Sequence, residues 1–196
     1  MANFDEAYEK TLEAEGHYAN NPSDRGGETY RGIARRAHPD WAGWLIIDAA
    51  KRQPGFPGSL ERSPALQLRV RNLYKAEYWD RIRGDRIESQ MIAEELFDTF
   101  VNTGIRAQFL QRALNLLNRN QGLYPDIPVD GVPGPGTLAA LEACLKSRSP
   151  TLIYNVMNIL QGARYVEIME RDRSQEEFVG WFNRVEIIKK RDKEAP

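Results

Sequence analysis

Glu15-Gly16-His17-Tyr18-Ala19-Asn20-Asn21-Pro22-Ser23-Asp24-Arg25-Gly26-Gly27-Glu28-Thr29-Tyr30-Arg31-Gly32-Ile33 is the stretch on which the reading of this chain turns. Ahead of it runs a helix. Asn3 and Glu6 have capping-box spacing, with asparagine in the usual Ser or Thr place. Phe4, Tyr8, Leu12 and Glu15 then recur at helical intervals until Gly16. Inside the stretch, Asn20 to Asp24 and Gly26-Gly27 are turn chemistry, so residues 16–32 predict a small β-hairpin or an irregular insert. Gly26 and Gly27 make no phosphate loop, because the spacing and the Lys-Ser/Thr pair are missing.

Working outward, the helical period returns and stays. Residues 40–52, with Asp40 as cap and Trp41, Trp44, Leu45 and Ala49 behind it, predict a second helix. After a loop with Pro54, Gly55, Pro57 and Gly58, Ser63-Pro64 opens a helix through Leu66, Val70, Leu73, Tyr74 and Tyr78. Residues 86–102 and 105–118 predict two more, broken by Gly104. Residues 119–136, rich in Pro, Gly and Asn, look like a boundary. A short helix from Thr137 to Lys146 follows, then one capped by Ser149-Pro150 and running to about Asp172. Ser174 with Glu177 has capping-box spacing for a last helix holding Phe178, Trp181, Val185 and Ile188. The expected fold class is mostly α, a helical domain with a short β-hairpin or irregular insert near its start. The expected division is 1–118 and 119–196, the two parts packed together.

Composition narrows the function classes. The chain has 196 residues, 41% hydrophobic and 28% charged, and can bury a core without staples. A net charge of -1 gives no field for nucleic acid or an acidic membrane. No apolar run reaches the about 20 residues of a membrane span. The first residues lack the basic start and apolar run of a signal peptide, so synthesis in the cytoplasm is expected. The lone Cys144, in the apolar run 138–145, reads as a core residue, and His17 and His38 have no metal-ligand spacing. No metal or cofactor is implied.

Glu15 stands out physically. It ends the apolar stripe of the first helix, where desolvation raises a carboxyl pKa. It also sits at the negative end of the helix dipole, which disfavours a second negative charge. Both effects favour a protonated acid near neutral pH, able to donate to a glycosidic oxygen. Asp24, in the polar turn, would stay ionised, and two carboxyls in opposite environments can divide acid and base roles. Read alone, Asp24 is a turn residue and Thr29 a helix cap at the start of the next helical stretch. Asp98 and Asn102 share a helix face and either line a cleft or pair with each other. Tyr18, Tyr30, Trp79 and Trp181 are flat rings of the kind that stack on sugars, although aromatics at helical spacing are more often core. With Asn20, Asp98 and Asn102 they form the candidate substrate-binding set.

The stretch from Glu15 to Ile33 resembles the opening of glycoside hydrolase family 108, N-acetylmuramidases found among phage endolysins and proteins named as secretion activators. The resemblance implies a lysozyme-like fold, peptidoglycan glycan strands as partner, and Glu15 as catalytic acid. The pattern is also similar to the Glu, Asp, Thr triad of phage-type lysozymes, which implies catalytic roles for Asp24 and Thr29. Four residues separate Asp24 from Thr29, where that pattern has five. His17 stands where a second glycine is usual, beside the acid. Tyr78-Trp79-Asp80 and Asp98-x-x-x-Asn102-x-Gly104 are similar to later family segments. Gln111-x-x-Leu114-Asn115 and Val129-Asp130-Gly131-x-x-Gly134-x-x-Thr137-Leu138 resemble a peptidoglycan-binding half, closed by Phe178-x-Gly180-Trp181-x-x-Arg184-Val185.

The resemblance therefore implies cleavage between N-acetylmuramic acid and N-acetylglucosamine, in the periplasm or cell wall after release, with a holin or secretion machinery as export partner. Two rivals stand beside it. A lytic transglycosylase would use one Glu as acid and base and leave an anhydro sugar. A non-catalytic wall-binding, secretion-assisting protein would bind wall without cutting it. A helix-turn-helix DNA binder fits poorly, for want of a basic recognition face.

Overall fold

The computed structural model describes residues 1–12, 17–20 and 27–189. Glu15, Asp24 and the predicted end of the first helix near Gly16 lie outside the described residues. The chain forms two compact units, residues 3–81, and residues 1–2 with 82–196. It is mostly α-helical, with one small three-stranded antiparallel sheet, as the alternation of helical and turn patterns predicts.

In the first unit α1 spans Phe4–Leu12. The Asn3 side chain accepts from the Asp5 N–H at 2.9 Å and donates to Glu6 at 3.0 Å, a side-chain form of the expected capping box. The sheet is a meander of β1 (Tyr18–Asn20), β2 (Glu28–Tyr30) and β3 (Ile33–Ala34). The next helix, α2, spans Gly43–Ala50, and Ala42 precedes it with no side-chain cap. The cap expected at Asp40 is thus not used. Ser63 caps α3 (Pro64–Tyr74) as expected, accepting from Leu66 N–H at 3.3 Å.

After Tyr74 the helix widens into a π turn over Lys75–Trp79, with Asp80 N–H bonding Lys75 C=O at 2.8 Å. That extra residue shifts the buried stripe. Leu66, Val70 and Tyr74 are buried four apart, and the next buried ring is Trp79, five on. Strict helical spacing puts Tyr78 there instead. Trp79 packs on Phe4, with ring centroids 5.6 Å apart, while Tyr78 stacks on Tyr74 at 5.3 Å.

In the second unit Ser89 caps α4 (Gln90–Thr103), four residues later than the periodicity suggests, and Gly104 ends it in the left-handed conformation at φ 72°. α5 spans Gln108–Leu117, α6 Pro135–Leu145 and α7 Pro150–Arg171, the last capped by Ser149. Cys144 is buried on α6, as expected of a core residue. α7 packs against both α4 and α5. Between α4 and α7 runs a buried polar chain: the Thr99 hydroxyl sits 3.3 Å from Glu95 and 3.1 Å from Gln161, whose amide donates to Tyr165 at 2.7 Å.

The connection from α5 to α6 has no regular structure, and amide side chains on α5 satisfy its backbone. Gln111 donates to Asp130, Val132 C=O and Thr137 and accepts from Gly131 N–H at 2.8 Å. Asn115 brackets Ile127, donating to its C=O at 2.8 Å and accepting from its N–H at 3.0 Å. Gly131 has φ 76°, and a Cβ there would come within 2.5 Å of Gln108.

The last helix differs from expectation. Residues Arg173–Arg184 form 3-10 turns with non-helical backbone at Phe178, capped by Asp172 rather than by a Ser174–Glu177 box. Hydrogen bonds from Ser174 hold the Asp172 carboxyl below the usual carboxylate range. Val185 is extended, and the tail docks on α7 through amides: Asn158 accepts from Glu186 N–H at 2.8 Å, and Asn155 bonds both backbone groups of Ile188 at 2.8 and 2.9 Å. Replacing Asn155 with alanine should therefore release the tail, at a cost of about 1–2 kcal/mol. Amide exchange at Ile188 should rise at least about tenfold in Asn155→Ala with α7 still protected; unchanged exchange would mean the clasp is not what holds the tail.

Candidate functional site

The sheet brings four of the candidate residues together. Its register pairs Tyr18 with Tyr30, Ala19 with Thr29 and Asn20 with Glu28. Directly paired residues share a face, so Tyr18, Asn20, Glu28 and Tyr30 lie on one side and Thr29, with Ala19 and Ala34, on the other. Thr29 is therefore a mid-strand residue and not a helix cap. Its hydroxyl donates to Gly27 C=O at 3.3 Å.

Two carboxylates organise this sheet, and neither stood out in the sequence. Glu28, with its side chain 10% exposed, receives the Tyr18 hydroxyl at 3.0 Å and pairs with Arg35 at 2.9 Å and Lys51 at 2.7 Å. Arg35 also grips Asp48 with two nitrogens, at 3.1 and 2.7 Å. Hydrogen bonds from Arg35 first, then Lys51, hold the Asp48 carboxyl below its ordinary range. Glu61, between α2 and α3, gathers His17 Nδ1 at 3.1 Å, the Tyr30 hydroxyl at 3.2 Å and the Arg31 guanidinium. Burial pushes Glu61 up, but the bonds and charges of Arg31 and His17 outweigh it and hold it below the usual value. Tyr30 is also fixed by Gln67, which donates to its hydroxyl at 2.8 Å, and its burial raises the phenol pKa.

This cluster pins the residue that follows Glu15-Gly16. The His17 ring bonds Glu61, and its C=O accepts from Arg31 N–H at 3.0 Å. Arg31 (φ 45°) and Gly32 (φ 75°) both have positive φ and make the two-residue turn between β2 and β3. Tyr74 secures that turn by donating to Arg31 C=O at 2.9 Å.

The remaining aromatic candidates divide. Trp79 and Tyr30 are fully buried, so neither ring has a face for a sugar, and the core reading holds for both. The π turn at Trp79 and the Glu61–Gln67 grip on Tyr30 are the physical reasons. Tyr18 is half-buried with its ring edge-on to Phe56 at 4.8 Å, and Asn20 is exposed.

In the second unit, Asn102 and Trp181 line one cavity of about 360 Å³, together with Phe109, Arg164, Tyr165 and Arg184. Asp98 sits behind it, accepting from Asn102 at 3.0 Å and Arg184 at 3.2 Å. The internal pairing of Asp98 with Asn102 is thus present, and Asn102 also lines this cavity. Trp181 stacks in parallel on Phe178 at 5.1 Å and leans on Tyr165 at 5.4 Å. Among the described residues no group of three or more His, Cys, Asp or Glu could hold a metal, and no helix is long and apolar enough to cross a membrane.

The family model for glycosyl hydrolase 108 matches residues 8–104, and that for a predicted peptidoglycan domain matches residues 106–186. A solved structure of SagA from Brucella abortus is similar in fold, at a TM-score of 0.52 and 23% identity over 93% of this chain and 88% of that one. No curated protein matches.

The depressed Glu61 pKa carries a pH signature. A carboxyl whose folded pKa lies below its unfolded value of 4.5 stabilises the fold above that pH. The contribution disappears as pH falls through the folded value. Glu61→Gln should lower stability by ~1–2 kcal/mol near neutrality, a figure that allows for partial exposure. The gap between variant and wild-type melting temperatures should narrow as pH falls below the ordinary glutamate value of 4.5; a gap that persists in strong acid would remove the ion pairs as its cause.

Proposed function

We propose that this chain, which belongs to the glycosyl hydrolase 108 family over residues 8–104 and carries a predicted peptidoglycan domain over residues 106–186, cuts the bond between N-acetylmuramic acid and N-acetylglucosamine in bacterial peptidoglycan. Glu15 is the general acid that protonates the bridging oxygen. Asp24 directs water to the sugar carbon, helped by Thr29. The observation that supports this reading most is the match of residues 8–104, which contain Glu15, Asp24 and Thr29, to the glycosyl hydrolase 108 family. Separation of the carboxyls decides between inversion and retention.

The Glu61 cluster gives the acid a fixed neighbour, because His17 is held at both its ring and its carbonyl. Residues 1–118 form the hydrolytic part on this reading and residues 119–196 the wall-holding part. The substrate places the action in the periplasm or cell wall, after release through a holin or secretion machinery.

The test compares wild type with Glu15→Gln on purified peptidoglycan, reading reducing-sugar release and product mass. The expected result is hydrolysed muropeptides from wild type and a loss of about 100-fold or more in the variant, the scale of a general acid's contribution. Anhydro products would make the chain a lytic transglycosylase. Wall binding with no cutting by wild type would leave a non-catalytic, secretion-assisting role.

A further inference from the structure

The cavity of the second unit is chemically unlike a sugar cleft. Its floor is apolar, with Ile105, Phe109 and Ile168, and two guanidiniums, Arg164 and Arg184, stand at its wall. Its indole is already covered by the parallel Phe178 ring at an interplanar angle of 7°. An aromatic platform for a pyranose needs an open face, whereas a planar guanidinium is matched to a carboxylate. Both arginines have capacity to spare among the described residues. Arg184 uses Nη1 on Asp98 at 3.2 Å. Arg164 has a surface partner, Glu167, at a long 3.4 Å, with side chains 40% and 66% exposed. Such a pair contributes little and is readily exchanged for a better anion. The amide of Asn102 donates to Asp98, which leaves its oxygen as an acceptor on the cavity wall.

In intact peptidoglycan the lactyl carboxyl of the glycan is consumed in the amide to the stem peptide. The free carboxylates therefore belong to the peptide, and its alanine methyls suit an apolar floor. Given the reading of this chain as a peptidoglycan hydrolase, we infer that the Arg164–Arg184–Asn102 cavity binds the stem peptide of the wall through a peptide carboxylate, beside and not as part of glycan cleavage. The guanidiniums take the carboxylate, Asn102 accepts from a peptide N–H, and the floor of Ile105, Phe109 and Ile168 takes a methyl. At about 360 Å³ the cavity lies at the small end of ligand pockets, which run from about 300 to 1,000 Å³.

The experiment titrates the full chain with a synthetic L-Ala–γ-D-Glu–meso-diaminopimelyl–D-Ala tetrapeptide by calorimetry. The same peptide with its carboxyls amidated and N-acetylglucosamine tetramer serve as controls. Saturable binding of the free peptide is expected, at least about tenfold weaker for the amidated peptide and for Arg164→Gln. The oligosaccharide should not compete. The surface position of Arg164 makes this variant fold-neutral, and the amidated peptide tests the same contact on unaltered protein. No binding of the free peptide, equal binding of the amidated one, or displacement by the oligosaccharide would overturn the inference. The readout needs no turnover, so a chain that cuts wall but ignores the peptide refutes only this site. A chain that binds the peptide without cutting wall refutes only the hydrolase reading.

Discussion

Between α5 and α6, and again over residues 185–189, the chain runs without a helix or strand ladder, so N–H and C=O groups turned from water there must find other partners. A neutral amide side chain can supply both, one donor and one acceptor from a single planar group. Gln111 and Asn115 lie four apart on α5, on one face, and do this for Gly131, Val132 and Ile127. Asn155 and Asn158 on α7 do it for Glu186 and Ile188. Each such group left unmade would cost about 1–3 kcal/mol, enough to free a segment that no regular ladder holds. The shape of the second unit thus depends on a few amides. The motif Gln111, Asp130, Gly131 and Thr137 is accounted for by folding before any ligand is invoked.

The first unit meets the same demand with charge. Its sheet is too short to be stable on hydrogen bonds alone, and its faces are fastened by Glu28 and Glu61. Glu61 matters more for chemistry, since it joins His17, Tyr30 and Arg31 across a turn whose Arg31 φ of 45° is unfavourable for a residue with a Cβ. Side-chain and Tyr74 bonds offset that strain. His17 is therefore held by a network whose other members come from β2, the turn after it and the segment before α3.

What was legible in the sequence was local. Ser63, Ser149 and Gly104 announce their helix ends because capping depends on one residue and its immediate neighbours. The β insert was legible because turn residues interrupt a helical period. What escaped was long-range or a break in period. Glu61 lies 30 to 44 residues from the partners it gathers, and no spacing rule connects them. The π turn moved Trp79 inside because one added residue rotates every later side chain by about 100°. The last predicted helix failed because Asp172 captured the first N–H groups, and because tail residues bond to Asn155 and Asn158 instead of to one another. Of the candidate site, Asp98, Asn102 and Trp181 do converge, but in a setting of arginines that spacing alone could not show.

On the proposed reading, two chemistries on one chain make sense for a polymer that carries both. A glycan cut destroys the very contact by which a cleft holds its substrate, so an enzyme held by glycan alone leaves after each event. A separate hold on the peptide survives the cut, because the peptide is not the bond being broken. Neither hold needs to be tight: tethering converts the second contact into an intramolecular one at an effective concentration on the millimolar scale, so two weak sites retain the enzyme on the wall. A shallow cavity with two partly exposed guanidiniums is suited to that task. On the proposed reading it exchanges a surface carboxylate for a ligand carboxylate with little net cost, which favours rapid release and movement along the wall over tight capture.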